Sequence, residues 1–252
     1  MRRWLGGLVF CGALLFAAPG AQAAVDFGSD LTQLPLSSTN CGSAPSGCTL
    51  FNSAMHTGNA FALTSPMTGV VTGITMKKHV ADSGTWQTVQ VHAVQRLAAT
   101  SWTRSTPSTS IHPSDAGGIE NFNVRFPINV GDYIGLSGSE VIYPLGPATG
   151  ASMESTYPNP LNPNGSPGSS GNIPNIELLM RARVEPDADH DSFGDQTQDA
   201  CPSNFSVQGT CPLPAAVPTT VNKTVNKKKC KKHKHKRRAA EAKKKCKKRK
   251  HR

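Results

Sequence analysis

The chain has 252 residues, a formal net charge of +11 and a hydrophobic fraction of 37%. Apart from one run near its start, no stretch approaches the roughly 20 apolar residues that a transmembrane helix needs, so a protein with membrane-spanning helices is excluded. The charge is divided: residues 24–222 hold seven Lys or Arg against fifteen Asp or Glu, a balance of −8, whereas residues 223–252 hold eighteen against one, a balance of +17. This division indicates an acidic folded part with a cationic arm.

Residues 1–23 have the pattern of a secretory signal peptide. Arg2 and Arg3 precede an apolar run over residues 4–18, and residues 21–23, Ala-Gln-Ala, form a small-residue cleavage site. We therefore expect this segment to be removed and the protein to be secreted, either extracellular or associated with the cell envelope.

Six cysteines remain after the signal peptide, and an even number in an exported chain indicates disulfides. Of the fifteen possible pairings, the simplest joins the cysteines that are close in sequence. Because the closed loops are short, we expect each disulfide in the body to stabilise the fold by roughly 2 to 3 kcal/mol. The predicted local pairs are Cys41 with Cys48, Cys201 with Cys211, and Cys230 with Cys246.

Residues 24–184 are predicted to form one antiparallel β-sandwich domain. Apolar and polar residues alternate there with a period of two, and no long stretch has the period of an amphipathic helix. Six or seven short strands separated by Gly and Pro turns favour two packed sheets, of the immunoglobulin-like or jelly-roll kind. The predicted strands are 60–64, 70–77, 88–97, 122–126, 132–137, 176–178 and 180–184.

Residues 143–175 are predicted to be a flexible loop within this domain. The segment has thirty-three residues, of which twelve are Gly or Pro, and almost no large apolar side chains. A connection this long without structure of its own is either functional or disordered, and its composition favours disorder.

Five polar residues of the predicted strands would share the outer face of one sheet. Such a patch can bind a sugar or an acidic ligand, or it can be an ordinary solvated face. A sugar site would need an aromatic platform, for which Trp86, Trp102 and Tyr133 are the candidates. No catalytic motif is present, so we expect a non-enzymatic protein. The patch residues are His92, Arg96, Arg125, Arg181 and Arg183.

An acidic segment follows the last predicted strand and contains five aspartates. Two carboxylates about 6 Å apart repel by about 3 kcal/mol at an effective dielectric of about 20, so five cannot share one turn without compensation. The segment is therefore either a solvated linker without a metal or a loop that binds a cation. The aspartates are Asp187, Asp189, Asp191, Asp195 and Asp199.

The spacing of these residues favours Ca²⁺. Three aspartates occupy positions 1, 3 and 5 of a tight loop, the backbone carbonyl of Phe193 is available at position 7, and Asp195 stands at position 9. Oxygen ligands at alternate positions match the six to eight contacts of Ca²⁺, whereas Mg²⁺ requires a stricter octahedron. Zn²⁺ is disfavoured because nitrogen and sulfur donors are lacking.

The segment from Asp187 to Asp195, followed by Asp199-Ala-Cys201-Pro202, resembles a thrombospondin type 3 repeat, a calcium-binding motif in which aspartates wrap the ion and cysteines staple the turns. The resemblance covers residues 185–212 and implies that Asp187, Asp189, Asp191, Phe193, Asp195 and Asp199 hold Ca²⁺. Ser192 stands where the family favours Gly, which implies backbone strain. An isolated site of this kind is expected to bind Ca²⁺ at about 10⁻⁴ to 10⁻³ M.

Residues 213–226 form a Pro and Thr linker, and residues 227–252 form a polycationic tail that is predicted to be disordered. For an exported protein the nearest polyanions are anionic cell-wall polymers or membrane headgroups, and we rank nucleic acid behind them. A zinc site is a further alternative that the tail permits, although its spacing matches no familiar finger. Its ligands would be Cys230, His233, His235 and Cys246.

Together these patterns predict a secreted, non-enzymatic calcium-binding protein of the cell envelope or extracellular space. We expect an adhesive or structural role, with the sandwich recognising a glycan or a protein and the tail acting as an electrostatic anchor. The alternative is a carbohydrate-binding jelly-roll module. A hydrolase hidden in the loops is a third hypothesis, because exported sandwich folds also host enzymes.

Overall fold

The computed structural model describes residues 22–36, 47–79, 87–98, 101–104, 108–138, 144–157 and 169–213. Most of the predicted signal peptide, nearly all of the predicted linker and the whole predicted tail lie outside these residues. The chain divides into two compact units, Met1–Cys211 and Pro212–Arg252. The described strands and the aspartate segment all belong to the first unit.

The described residues contain eleven β-strands and no helix, so no helix among them is able to cross a membrane. The prediction of a mainly β protein is thus confirmed. The strands are β1 Val25–Gly28, β2 Cys48–Ala54, β3 Gly69–Lys78, β4 Val89–Ala98, β5 Ser101–Arg104, β6 Thr109–Ile111, β7 Gly118–Ile128, β8 Tyr133–Gly138, β9 Leu145–Tyr157, β10 Ser169–Leu178 and β11 Met180–Glu185.

The strands form two antiparallel sheets. One has four strands in the order β1-β11-β3-β7, and the other has seven, in the order β10-β9-β2-β8-β4-β5 with β6 paired to β4. One cluster of buried residues draws on both sheets and includes Phe126 and Met180 of the first and Leu136 and Met153 of the second. A shared core of this kind is consistent with a β-sandwich.

Alternation of side chains explains why these segments are strands. In β7, Val124 and Phe126 are buried while Asn123 and Arg125 are exposed, and in β11 the buried residues likewise occupy every second position as far as Val184. Full burial of each large apolar side chain contributes roughly 1.5 to 3 kcal/mol. The period-two pattern over 122–126 and 180–184 therefore predicted the correct structure.

The prediction of a flexible loop over 143–175 is wrong for most of that segment. It contains β9 and the first part of β10, which pair with each other from Tyr157 opposite Ser169 to Leu145 opposite Leu178. Small side chains such as Ala148 and Ala151 are buried in β9, and β10 is an edge strand, where Pro174 need not donate a hydrogen bond. Gly and Pro content alone was therefore misleading.

The strand predicted at 60–64 is also absent. This part of the chain makes only an isolated parallel bridge, between Phe27 and Ala62. The segment is anchored by polar contacts instead, because Asn59 donates hydrogen bonds to the carbonyls of Gly28 and Phe61 at 3.1 and 2.7 Å.

Candidate metal centre

The aspartate segment begins where β11 ends, and Glu185 fixes it to the four-stranded sheet. The Glu185 side chain is fully buried. Its carboxylate accepts hydrogen bonds from the hydroxyls of Thr72 at 3.0 Å and Thr197 at 2.8 Å. It also accepts bonds from the backbone N–H groups of Gln196 at 3.1 Å and Thr197 at 2.9 Å. The second half of the loop is therefore folded back onto β3.

Three further contacts hold the loop on the sheet. A Cβ at Gly194 would lie 2.5 Å from the Thr72 methyl carbon and 2.6 Å from a Glu185 oxygen, so only glycine fits between them. The guanidinium carbon of Arg125 lies 3.9 Å from the centroid of the Phe193 ring, a cation–π contact. Gln198 donates a hydrogen bond to the carbonyl of Val124 at 2.9 Å.

The first half of the loop brings three carboxylates together. One oxygen from each of Asp187, Asp189 and Asp191 lies within 4.8 Å of the others. The loop closes through backbone donors, because the N–H groups of Asp191 and Ser192 each bond to an Asp187 oxygen at 3.0 Å. The spacing at positions 1, 3 and 5 is thus converted into a compact cluster.

Tight winding places two non-glycine residues in the left-handed region of φ. His190 has a φ of 61° and Ser192 a φ of 68°. For an L-residue this conformation costs roughly 1 to 2 kcal/mol. Ser192, which stands where the resembling loops favour Gly, therefore has the positive φ that implies backbone strain.

Asp195 and Asp199 lie close to the cluster. Burial raises the pKa of Asp195, and the negative charges of Asp187, Asp189 and Asp199 raise it further, against a hydrogen bond from Ala188 that lowers it. Burial likewise raises the pKa of Asp187, with an added contribution from the charge of Asp191. Electrostatic repulsion therefore extends from the three clustered aspartates to all five.

Two carboxylate oxygens in this region are buried without a hydrogen-bond partner. They are Oδ2 of Asp189 and Oδ2 of Asp199. Asp199 is only 4% exposed, and its other oxygen accepts a bond from the backbone N–H of Cys201 at 2.7 Å. A buried carboxylate oxygen that lacks a partner costs on the order of 1 to 3 kcal/mol or more, so the site is incomplete as a purely protein structure.

Among the described residues, no Lys or Arg forms an ion pair with any of the five aspartates. The ion pairs in this part of the chain join other groups. The oxygens of the cluster therefore offer hard anionic donors without a side-chain cation, which is the donor chemistry that hard divalent cations take.

The disulfide between Cys201 and Cys211 supports the loop from its far side. Within the segment that it closes, Gln208 donates a hydrogen bond to Oδ2 of Asp191 at 2.9 Å, and its carbonyl accepts one from the N–H of Ala200 at 2.9 Å. Cys48 is also disulfide-bonded, whereas its predicted partner Cys41 lies outside the described residues.

The predicted site residues thus have different outcomes. The structure brings Asp187, Asp189 and Asp191 together and buries Asp199. A ligand role for these four residues, for Asp195 and for the Phe193 carbonyl stays a prediction. Sequence reasoning missed Glu185 and Gln208. Glu185 resembles any other acid at a strand end in the sequence, and its partner Thr72 is 113 residues away. Gln208 could be suspected only from its position between the paired cysteines.

The predicted polar patch does not form as a unit. His92 is fully buried, and both His92 and Arg96 belong to β4 of the seven-stranded sheet, whereas Arg125, Arg181 and Arg183 belong to the four-stranded sheet. The aromatic candidates for a sugar platform fare similarly. Trp102 is 3% exposed and packs with Tyr133 and Phe51 in a second buried cluster, and Trp86 lies outside the described residues.

A second carboxylate cluster lies elsewhere in the fold. The His56 ring nitrogens approach two carboxylates, Nδ1 lying 2.6 Å from Glu177 and Nε2 lying 3.4 Å from Asp30. Glu177 is fully buried. Burial would raise the pKa of Asp30, but hydrogen bonds from Thr32 and the charge of His56 outweigh it and lower the pKa below its usual value.

Comparisons of the chain with protein-family models, with curated proteins and with solved structures find no match. The resemblance of residues 185–212 to a thrombospondin type 3 repeat therefore rests on the aspartate and cysteine pattern of this chain.

Proposed function

We propose that the chain is a secreted, non-enzymatic calcium-binding protein in which a β-sandwich carries a single loop of the thrombospondin type 3 kind. The role is adhesive or structural, in the extracellular space or at the cell envelope. The observation that carries this proposal is the pair of buried, unpartnered oxygens on Asp189 and Asp199 beside three clustered carboxylates.

Ca²⁺ is the ion that suits this donor set. Asp187, Asp189 and Asp191 supply carboxylate oxygens, Asp195 and Asp199 supply two more, and the Phe193 carbonyl completes the proposed set. The ion would cancel the repulsion that raises the pKa values of Asp187 and Asp195. Because Glu185 and Gly194 hold the loop on the sheet through protein contacts, the effect of the ion is expected to be local.

The order of the strands supports the jelly-roll kind of sandwich over the immunoglobulin-like kind. Set aside the short β6 and the β9–β10 hairpin, which extends one edge. The remaining eight strands form the sheets β1-β11-β3-β7 and β2-β8-β4-β5. Along the chain they alternate between the two sheets, except at the step from β4 to β5, and the sheet assignments of the last four strands are those of the first four in reverse order. Two successive Greek keys with this pattern make a jelly roll, an architecture that lectin domains use. Carbohydrate binding is therefore the second candidate function.

The tail provides the third part of the proposal, an electrostatic anchor to anionic cell-wall polymers or membrane headgroups, ahead of nucleic acid. Its support is the balance of +17 over residues 223–252. Attachment through charge is released by counterions. Retention of the intact chain on immobilised wall polymer that persists from low to molar salt would contradict this assignment.

Calorimetric titration of the intact chain with CaCl₂ tests the metal site. We expect one site with a dissociation constant of about 10⁻⁴ to 10⁻³ M, and weaker binding of MgCl₂. Asp189→Asn and Asp199→Asn should each weaken Ca²⁺ binding at least tenfold. Asp115→Asn, which removes an exposed carboxylate from the turn before β7, is the matched control and should bind as the unaltered chain does. No uptake at millimolar free Ca²⁺, or equal affinity in all variants, overturns the proposal.

A further inference from the structure

The outer face of the four-stranded sheet carries two rows of polar residues that the proposed metal site does not use. In the first row Arg183 of β11 stands opposite Gly73 of β3, which stands opposite Asn123 of β7. In the second row, two residues further along, Arg181, Thr75 and Asn121 occupy the corresponding places. Within each row the residues are direct partners on neighbouring strands, so their side chains lie about 5 Å apart across the sheet.

Gly73 leaves a depression between these rows. A Cβ there would meet only the Cβ of Arg183 at 3.7 Å and the carbonyl oxygen of Phe122 at 3.9 Å, both ordinary contacts. The backbone therefore does not demand glycine, and the effect of the missing side chain is to keep the surface open. The depression has a volume of about 270 Å³ and adjoins a second one of about 470 Å³ that Phe61 lines.

The two arginines retain unused donors. In the described part of the chain, neither guanidinium group makes a hydrogen bond to another side chain. Their nearest carboxylate contacts are 3.6 Å from Arg181 Nε to Asp26 and 3.8 Å from Arg183 Nε to Glu185, which exceed hydrogen-bonding distance. Glu185 is already satisfied by Thr72, Gln196 and Thr197.

The charge of this face contrasts with that of the rest of the body. Residues 24–222 contain seven Lys or Arg. Five of them lie on the four-stranded sheet, namely Lys77, Lys78, Arg125, Arg181 and Arg183. Lys77 donates a hydrogen bond to the carbonyl of Leu31, and Lys78 pairs with Glu120. Arg125 is engaged with Phe193, so the pair that lines the depression supplies its positive charge. Asp26 offsets part of that charge, which favours a singly charged group such as one carboxylate over a dianionic group such as phosphate at this position.

We propose that this depression binds an acidic saccharide through its carboxylate. The planar guanidinium groups of Arg181 and Arg183 match a carboxylate geometrically. Thr75 donates its hydroxyl hydrogen to Oδ1 of Asn121 at 2.7 Å. The side-chain N–H groups of Asn121 and the amide of Asn123 offer the donors and acceptors that sugar hydroxyls require. The Phe61 ring, 5.1 Å from the Arg181 guanidinium carbon, adds an apolar surface for a sugar ring. The inference rests on the second candidate function, carbohydrate binding, and names its site and ligand class.

The test is a titration of the isotopically labelled intact chain with trigalacturonate, observed by NMR in 0.15 M salt with CaCl₂ present. We expect saturable shifts at the Gly73 amide and at the side-chain amides of Asn121 and Asn123. The local readout separates this site from the cationic tail, which attracts the same ligand non-specifically. The fully methyl-esterified trigalacturonate, which has no charge, should bind at least tenfold more weakly than trigalacturonate, and so should inorganic phosphate.

Matched variants locate the site. Arg183→Gln should weaken binding at least tenfold, whereas Arg96→Gln, which makes the same change on the other sheet, should leave it unchanged. Gly73→Val should abolish binding by filling the depression while the chain stays folded. The proposal is overturned by an absence of shifts at Gly73 at millimolar ligand, by equal binding of the ester or phosphate, or by equal effects of the two arginine variants. Spectra recorded with CaCl₂ and with chelator are compared at the amides of residues 187–199, which report on the calcium site. A failure of that site can therefore be distinguished from a failure of the saccharide site.

Discussion

Two regions of the molecule crowd carboxylates together, and they differ in how the charge is compensated. In the first, the His56 ring lies between Glu177 and Asp30 and offers each carboxylate a nitrogen partner. In the second, Asp187, Asp189 and Asp191 converge with no ion pair to a Lys, Arg or His among the described residues. In the first region Oε1 of Glu177 is also buried without a hydrogen-bond partner, so the difference between the two regions lies in the neighbouring groups: a histidine ring faces the carboxylates of the first, and other carboxylates face those of the second.

The pKa values of the two regions shift in opposite directions, as this difference requires. Burial raises the pKa in both, but at Asp30 the bonds from Thr32 and the charge of His56 reverse the effect. At Asp195 the neighbouring charges are negative and add to it. Clustering of acids alone therefore does not identify a metal site, and the sign of the neighbouring charge is the informative quantity.

The largest effect is expected when the first region loses its histidine. His56→Leu removes the ring nitrogen that lies 2.6 Å from the buried Glu177 carboxylate, which should lower the free energy of unfolding by about 3 to 5 kcal/mol. Urea denaturation measures this. The double variant His56→Leu with Glu177→Leu should lose less than the single variant, because no buried carboxyl group is left without its partner. A loss below about 1 kcal/mol in the single variant would show that the comparison is wrong.

A smaller loss is expected at the anchor of the aspartate loop. Glu185→Gln keeps the volume but removes the charge and one acceptor that Gln196 and Thr197 use, which should cost about 2 kcal/mol. The measurement is made in chelator, where the metal cannot contribute. Glu154→Gln on β9, where the acid is only partly buried, serves as the control and should cost less than about 0.5 kcal/mol. An equal decrease in the free energy of unfolding in the two variants would show that Glu185 does not anchor the aspartate loop.

The smallest effects concern pH. The folded pKa of Asp30 is lowered, so its contribution to stability is present above the usual value of 3.8 and is lost as pH falls through the folded pKa. The folded pKa of Asp187 is raised above 3.8, so its contribution is present below that value and is lost as pH rises through the folded pKa. In chelator at pH 6, Asp30→Asn should therefore destabilise and Asp187→Asn should stabilise, each by a few tenths of a kcal/mol. Thermal melting at pH 3 and pH 6 checks both signs, and equal signs at pH 6 would contradict the comparison.

Strands with one buried face could be predicted from the sequence, because in β7 and β11 each second residue is apolar. The β9–β10 pair could not, since its buried positions hold residues as small as Ala148 and its sequence is rich in Gly and Pro. Local sequence patterns were sufficient to predict mainly β structure and antiparallel sheets. They were not sufficient to predict β9 and β10, because these strands form through pairing with each other, which composition does not encode.

The candidate site shows the same limit. Period-two spacing placed Asp187, Asp189 and Asp191 together correctly, because a tight loop leaves few other arrangements. The partners that position the loop come from distant parts of the chain, such as Thr72, which lies 113 residues from Glu185. The same holds for His56 and Glu177, which are 121 residues apart. Contacts at that separation leave no local signal.

The close approach at Gly194 limits the portability of the loop. Thr72 of β3 and Glu185 of β11 enclose that glycine, while Arg125 and Val124 of β7 contact Phe193 before it and Gln198 after it. A peptide of residues 185–212 alone would lack three of these four supports. Transfer of the aspartates to another protein would therefore require transfer of the matching surface of the sheet as well, because the conformation of the loop depends on that surface.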